Sequence, residues 1–258
     1  MTNVTNRRTI ALAAKNGVVL VLAAATFTSA IAAEPASPWS ETVYTQARLV
    51  SAVTAAGTAE TVPLGLHFKM EKGWKIYWKA PGDAGFPPRL KWAGSENVGD
   101  ARTAWPAPER FLLLGVETIG YKDEVVLPVA VRPATPGAAL NFAATVDFLT
   151  CDQICVPHTA KLALSLPAGP AQPSAEAHLV NRFASRVPGD GALQGLVIDR
   201  AEARAGKSKS EATVRVTATS REPFAAPDVF LDGPEAASFG RPAVTFGDGR
   251  RRADLVVP

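Results

Sequence analysis

Cysteine is scarce in this chain of 258 residues: Cys151 and Cys155 are the two present, beside three histidines. Two cysteines are too few to staple a chain of this length. Metal is the weakest reading, because structural zinc wants four ligands, usually two cysteine pairs or two cysteines with two histidines. His158 is the one histidine near the pair, whereas His67 and His178 lie in other elements without matching spacing. A cysteine-protease site also lacks support, since no base and orienting group can be read off. Long apolar runs are missing as well: after residue 33 no segment approaches the about 20 residues a spanning helix needs, so no membrane insertion of the mature chain is expected. Charge of one sign is missing too. Lys and Arg total 27 against 24 Asp and Glu, but three of the basic residues lie in residues 1–33, so the remainder is balanced. A neutral chain offers no field for nucleic acid or acidic lipid, and Arg250-Arg251-Arg252 reads as a solvated turn.

What is present begins with a leader. Arg7, Arg8 and Lys15 precede the apolar run 17–27 and the small residues Ala30-Ile31-Ala32-Ala33, the pattern of a secretory signal peptide over residues 1–33 cleaved after Ala32 or Ala33. Arg7-Arg8 raises the twin-arginine route, which Thr9-Ile10-Ala11 fits poorly. Export delivers the cysteines to a compartment where disulfides persist, in a mature chain of about 225 residues that can bury one large core or two small ones.

From Tyr44 onward the text alternates in short β segments bounded by Gly, Pro, Asn and Asp. Leu64, Leu66, Phe68 and Met70 share one face, as do Trp74, Ile76 and Trp78. "EVVLPVAVRP" follows, and then Leu140, Phe142, Ala144, Val146 and Phe148 alternate strictly before Leu162, Leu164 and Leu166. Strands at this spacing without helical patterns between them predict an all-β antiparallel sandwich. Tyr121, Trp74, Trp78, Trp92 and Trp105 are expected to pack its core. Residues 169–190 read as a Pro/Gly/Ala linker opening into a short helix, with Ser174 as N-cap, Ala177, Val180, Ala184 and Val187 on one face, and Pro188-Gly189 as the stop. Residues 191–258 return to β segments, "EATVRVTAT", "PDVFLDG", "AVTFGDG" and "RADLVVP". They predict a second, smaller sandwich whose last strand meets the chain end at Pro258, which leaves open whether it is complete.

The cysteine pair sits in "FLTCDQICVPHTAKLALSLPAG" (148–169). A disulfide needs Cα atoms about 4.4–6.8 Å apart, whereas four residues of straight strand would separate them by about 13 Å. If they bond, Asp152-Gln153-Ile154 is a turn, and the alternation on either side puts it at or near a hairpin connection. A loop this small restricts the unfolded chain little and favours exchange over stapling, without excluding a staple. Asp152 beside Cys151 disfavours a thiolate, while a protonated His158 facing Cys155 would favour one. The C-x-x-C spacing and following helix of a strongly acidic thiol are both lacking.

In order, "WKIYWKAPGDAGFPPRLKWAGSENV", "WPAPERF", "GYKDEVVLPVAVRP" and "TCDQICVP" resemble the periplasmic N-terminal region of the DsbD/ScsB family of thiol:disulfide interchange proteins. The resemblance covers residues 39–168 and, more weakly, the linker and second sandwich. It implies an immunoglobulin-like redox domain over 39–168 with Cys151 and Cys155 as the exchanging pair, Cys155 the more accessible sulfur and Cys151 its resolving partner. It implies, too, a cap over the sulfurs, with Phe111, Leu112, Leu113 and Leu114 of "ERFLLLGVETIG" as candidates. Some members of the family it resembles place an acidic pair in the cap where this chain is apolar, with Glu109 the carboxylate that could stand near. The implied partners are thioredoxin-like periplasmic proteins and a membrane thiol conduit, with no cofactor. The membrane conduit and thioredoxin-like domain that the family fuses to this region are absent from the sequence. The rival reading is a non-catalytic exported immunoglobulin-like adaptor with a structural disulfide, binding a partner by sheet edge or loop.

Overall fold

The computed structural model describes residues 34–113, 115–206, 208, 211–233 and 239–258. The expected signal peptide at 1–33 and cap candidate Leu114 lie outside the described residues. In chain order the first strands are β1 (Ser40–Thr42), β2 (Thr45–Ser51), β3 (Val62–Met70), β4 (Lys75–Gly82), β5 (Arg89–Lys91) and β6 (Val98–Thr103). Next come β7 (Glu109–Leu113), β8 (Val116–Lys122), β9 (Glu124–Pro133), β10 (Leu140–Cys151) and β11 (Cys155–Leu166). The helix α1 (Ala177–Ala184) leads to β12 (Leu196–Ala205), β13 (Ala212–Ser220), β14 (Ala243–Gly247) and β15 (Arg252–Val257).

Two antiparallel sheets make the immunoglobulin-like sandwich. One runs β1-β2-β3-β9-β6 and the other β11-β10-β4-β8-β7, with β5 beside β10. Period-two alternation aims one row of each strand inward. On β10 that row is Leu140, Phe142, Ala144, Val146 and Phe148; on β11 it is Ala160, Leu162, Leu164 and Leu166; all are buried. Their pairing register matches apolar to apolar, Val146 with Ala160 and Ala144 with Leu162, so a one-residue slip would turn the row of the slipping strand to solvent. Leu64, Leu66 and Phe68 face them from β3, and Phe68 meets Phe148 edge-on at 5.1 Å between ring centroids. Trp78 and Tyr121 are buried in this core, while Trp74, Trp92 and Trp105 are partly buried against it.

The outer face of the first sheet is covered by α1, through Val180 and Phe183. Close approach is possible because Gly65 lies beneath: a Cβ there would stand 2.4 Å from Val126 and 3.4 Å from Val180. The expected helix is present but differs at both ends. Ser174 precedes the helix, its Oγ accepting the Glu176 N–H and donating to the Ser51 carbonyl, and the buried face uses Phe183 instead of Ala184 and Val187. An aromatic ring reaches the sheet where a methyl group would fall short.

Beside the helix, buried His67 on β3 joins several charges. Its Nδ1 accepts from Arg48 Nε at 3.2 Å, which makes Nε2 the protonated nitrogen that donates to Glu124 at 2.9 Å. Arg48 also pairs with Glu176, and Glu124 with Arg182 of α1. Burial, reinforced by the Arg48 charge, lowers the His67 pKa to about 4.

The C-terminal sheet runs β12-β13-β15-β14. Val216, Ala253 and Leu255 form its small core, covered by Phe224 and Val229 from an irregular segment. That segment includes 227–233, "PDVFLDG", where the sequence suggests a strand, and its backbone joins no ladder. Conversely, β12 carries little of the apolar alternation that marks a strand, because it is an exposed edge. Among the described residues, no helix is long and apolar enough to cross a membrane.

Candidate functional site

The interior row of β10 ends at Phe148, and Cys151, three residues on, falls on the opposite face of the sheet. Cys151 and Cys155 are the terminal register pair of the β10–β11 hairpin. Between them Asp152-Gln153-Ile154 forms the turn, with the Asp152 N–H donating to the Ile154 carbonyl at 3.0 Å. The sulfurs are bonded, S–S 2.09 Å with Cα atoms 4.2 Å apart. The two ends differ in exposure: Cys151 is 0% exposed, whereas Cys155 lies in the exposed class beside Ile154 at 58%. Directly beneath, Thr150 bonds Thr45 across the two sheets at 2.8 Å, which anchors the hairpin end to the opposite layer.

Tyr77 on β4 shares the outer face with the disulfide. Its hydroxyl donates to Cys151 Sγ at 3.0 Å and stands 3.7 Å from Cys155 Sγ. Gly85 holds the ring in place: it has φ +96°, and a Cβ there would lie 2.3 Å from the ring. Burial pushes the Tyr77 phenol up to about 12, so it remains a proton donor at any ordinary pH. Leu113 and Leu149 complete an apolar cluster with Tyr77 and Cys151. Lys75 pairs opposite Cys151 in register. Its ammonium bonds the Gly73 carbonyl at 2.7 Å, stands 3.7 Å from Asp152 and lies 5.4 Å from the Phe111 ring centroid. The buried sulfur thus has one neutral donor, an apolar cover and a cation near its edge.

Of the cap candidates, Leu113 reaches the cysteines and Phe111 reaches Lys75. Leu112, between them, points to the other face and is 72% exposed. The stretch is the β7 arm of the β7–β8 hairpin, so it is both a strand and a cover. Glu109 is engaged by Lys122 at 2.7 Å. His158 does not face Cys155: it pairs with Phe148 on the interior face, its ring 5.2 Å from that of Phe148, and burial lowers its pKa. No group of three or more His, Cys, Asp or Glu stands close enough to hold a metal among the described residues. Tyr77 is absent from the sequence-derived candidates. The signal that could have found it is parity, since Trp74, Ile76 and Trp78 face inward and leave Tyr77 on the face where the odd spacing from Phe148 puts Cys151.

The fold and site define an immunoglobulin-like sandwich that carries a bonded cysteine pair in a hairpin on its outer face. The comparisons with known proteins name the family. Residues 45–167 match the model described as thiol:disulfide interchange protein DsbD, N-terminal, and this segment belongs to that domain family. Residues 186–258 match a domain of unknown function, DUF8393. Among solved structures, the N-terminal periplasmic domain of ScsB from Proteus mirabilis is similar at 23% identity with TM-score 0.68, covering 87% of this chain and 84% of that one. That likeness concerns the fold. The reduced N-terminal domain of DsbD from Neisseria meningitidis aligns at 12% identity and TM-score 0.26, covering 46% of this chain and 86% of that one, too weak to bear on the fold. No curated protein matches the chain.

Proposed function

We propose that Cys151 and Cys155 are an exchanging pair that carries two electrons between periplasmic proteins. The observation that carries the reading is the unequal exposure of the two sulfurs, with a permanent hydroxyl donor on the buried one. A donor thiolate attacks Cys155 Sγ, the S–S bond breaks, and Cys151 leaves as a thiolate that accepts the Tyr77 hydrogen bond and then a proton. The donor's second thiol attacks the mixed disulfide and frees Cys155, so the donor ends as a disulfide and this pair as a dithiol. The reverse sequence delivers the two electrons to an acceptor disulfide. No cofactor takes part.

In this reading the donor is a membrane thiol conduit or a thioredoxin-like protein and the acceptors are other periplasmic proteins; the match of residues 45–167 to the DsbD N-terminal model supports it. Within this reading residues 1–33 are the export signal, 39–168 the redox domain, 169–190 the linker and 191–258 a second, smaller β domain, built on one four-stranded sheet where the sequence suggests a sandwich. Phe111 and Leu113 act as the cover, while Leu112 points away from the sulfurs.

The test is a trap. Cys151→Ala leaves Cys155 unable to resolve a mixed disulfide, and it is expected to capture a thioredoxin-like protein that Cys155→Ala does not. The companion measurement is the reduction potential, expected near or above about −270 mV. A potential below about −300 mV together with an empty trap would instead identify an inert staple in an adaptor protein.

A further inference from the structure

Side chains alternate along β7 between two faces. Glu109, Phe111 and Leu113 stand on the face of Tyr77 and the disulfide, since Glu109 is in register with Gly120 and Gly120 with Tyr77. Arg110 and Leu112 point beneath. The Arg110 side chain is 5% exposed, and all three nitrogens of its guanidinium are engaged. Nε and Nη2 donate to the two carboxylate oxygens of Asp228, each at 3.1 Å. Nη2 also donates to the Val229 carbonyl at 3.3 Å, and Nη1 to Glu117 of β8 at 3.3 Å. The Phe230 ring lies 5.2 Å from the guanidinium.

The segment that receives Arg110 is fastened at both ends of its short span. Val229 packs into the core of the C-terminal sheet, while Phe230 packs against the sandwich core and meets Trp78 edge-on at 6.1 Å. Lys79 takes Asp232 at 2.6 Å, and Arg241 takes Glu117 at 3.0 Å. Neighbouring residues of an irregular chain thus serve two cores, which is why 227–233 forms a strap and not a strand.

β7 is a five-residue edge strand paired with β8 alone. Arg110 lies three residues before Leu113, the side chain packed on Cys151. We infer that the Arg110–Asp228 clamp is a positioning device for exchange, holding the β7–β8 hairpin down so that the seating of the C-terminal sheet governs the environment of Cys151. With the hairpin down, Leu113 keeps water from the buried sulfur and disfavours the thiolate that must leave. When the hairpin lifts, that sulfur is hydrated and the S–S bond opens faster. This inference rests on the exchange reading above.

The experiment uses the mature chain with Asp228→Asn, Arg110→Ala and the charge-swapped pair Arg110→Asp with Asp228→Arg. Reduction by dithiothreitol is followed by acid quench and alkylation, and amide hydrogen exchange is followed in residues 109–122 and 140–166. Loss of the charge-assisted pair is expected to speed reduction about tenfold and to raise exchange in β7–β8 but not in β10–β11. The swap restores the pair but sets a carboxylate against Glu117, so it is expected to return both only part of the way. Because Asp228→Asn preserves volume, it carries the test if Arg110→Ala does not fold. Folded single variants reduced at the original rate, or with unchanged exchange in β7–β8, overturn the clamp. An empty Cys151→Ala trap alongside faster reduction in the clamp variants would remove the exchange reading and leave the clamp standing.

Discussion

Removing the Tyr77 hydroxyl isolates the one polar contact that the buried sulfur makes among the described residues. In Tyr77→Phe the ring keeps its packing against Gly85 and Leu113, and the oxygen 3.0 Å from Cys151 Sγ is gone. A hydrogen bond to a fully charged partner contributes about 1.5–3 kcal/mol. Brønsted coefficients of about 0.5 in thiol exchange place roughly half a charge on sulfur at the transition state. The loss there is therefore about 1 kcal/mol, and reduction by dithiothreitol should slow about fivefold to tenfold. The folded oxidised protein should lose less than about 1 kcal/mol, because a disulfide sulfur is a weak acceptor. With the phenol titrating at about 12, the donor is intact throughout the working range. The ratio of wild-type to variant rates should accordingly stay constant from about pH 7 to 9. Stopped or quenched alkylation measures the rates, and urea unfolding monitors the fold. A Tyr77→Phe protein reduced as fast as the parent, with a superimposable unfolding curve, would refute the role given to the hydroxyl.

Gly85→Ala should be destabilised by about 1–3 kcal/mol, since its φ of +96° and a Cβ 2.3 Å from the Tyr77 ring oppose any side chain; urea unfolding of the oxidised protein reads it, and an unchanged midpoint would contradict the packing. Phe148→Ala should cost about 3–5 kcal/mol by emptying the 0%-exposed ring site between the sheets, yet leave the rate of disulfide reduction close to the parent's, because the cysteines occupy the other face. His67 gives a pH dependence: its folded pKa of about 4 lies below the ordinary 6.5. Between those values the unfolded chain binds the proton and the folded chain does not, so stability rises with pH across that window, by at most about 3 kcal/mol. Urea midpoints at intervals across the window test this, and a His67→Gln protein should lose most of the slope.

The sandwich was legible because its rows are strict. The alternation from Leu140 to Phe148 and from Leu162 to Leu166 names the interior of β10 and β11, and the small span between the cysteines names the turn. Parity also places the pair on the outer face, once the spacing from Phe148 is counted. What escaped sequence reasoning depends on partners distant in the chain. Leu112 and Leu113 are identical in composition and differ only in which face of β7 they occupy. "PDVFLDG" has the residues of a strand, but Val229 and Phe230 are claimed by different cores and the Val229 carbonyl by Arg110. β12 is hidden for the opposite reason, its alternating Arg200, Glu202 and Arg204 lying on an edge that buries little. His158 reads as a neighbour of Cys155 along the chain, while the pleat turns it toward Phe148.

The interior of the sandwich and the chemistry at its hairpin end draw on different side chains of the same strands. Lys75, Tyr77 and Leu113 touch the sulfur environment, whereas Ile76, Trp78 and Phe148 fill the core. The two sets face opposite sides of the sheet, so a substitution in one does not enter the packing of the other. Selection can therefore adjust the surroundings of the pair and the robustness of the scaffold as separate inherited traits, and the sulfur environment can change without first rebuilding the fold that presents it.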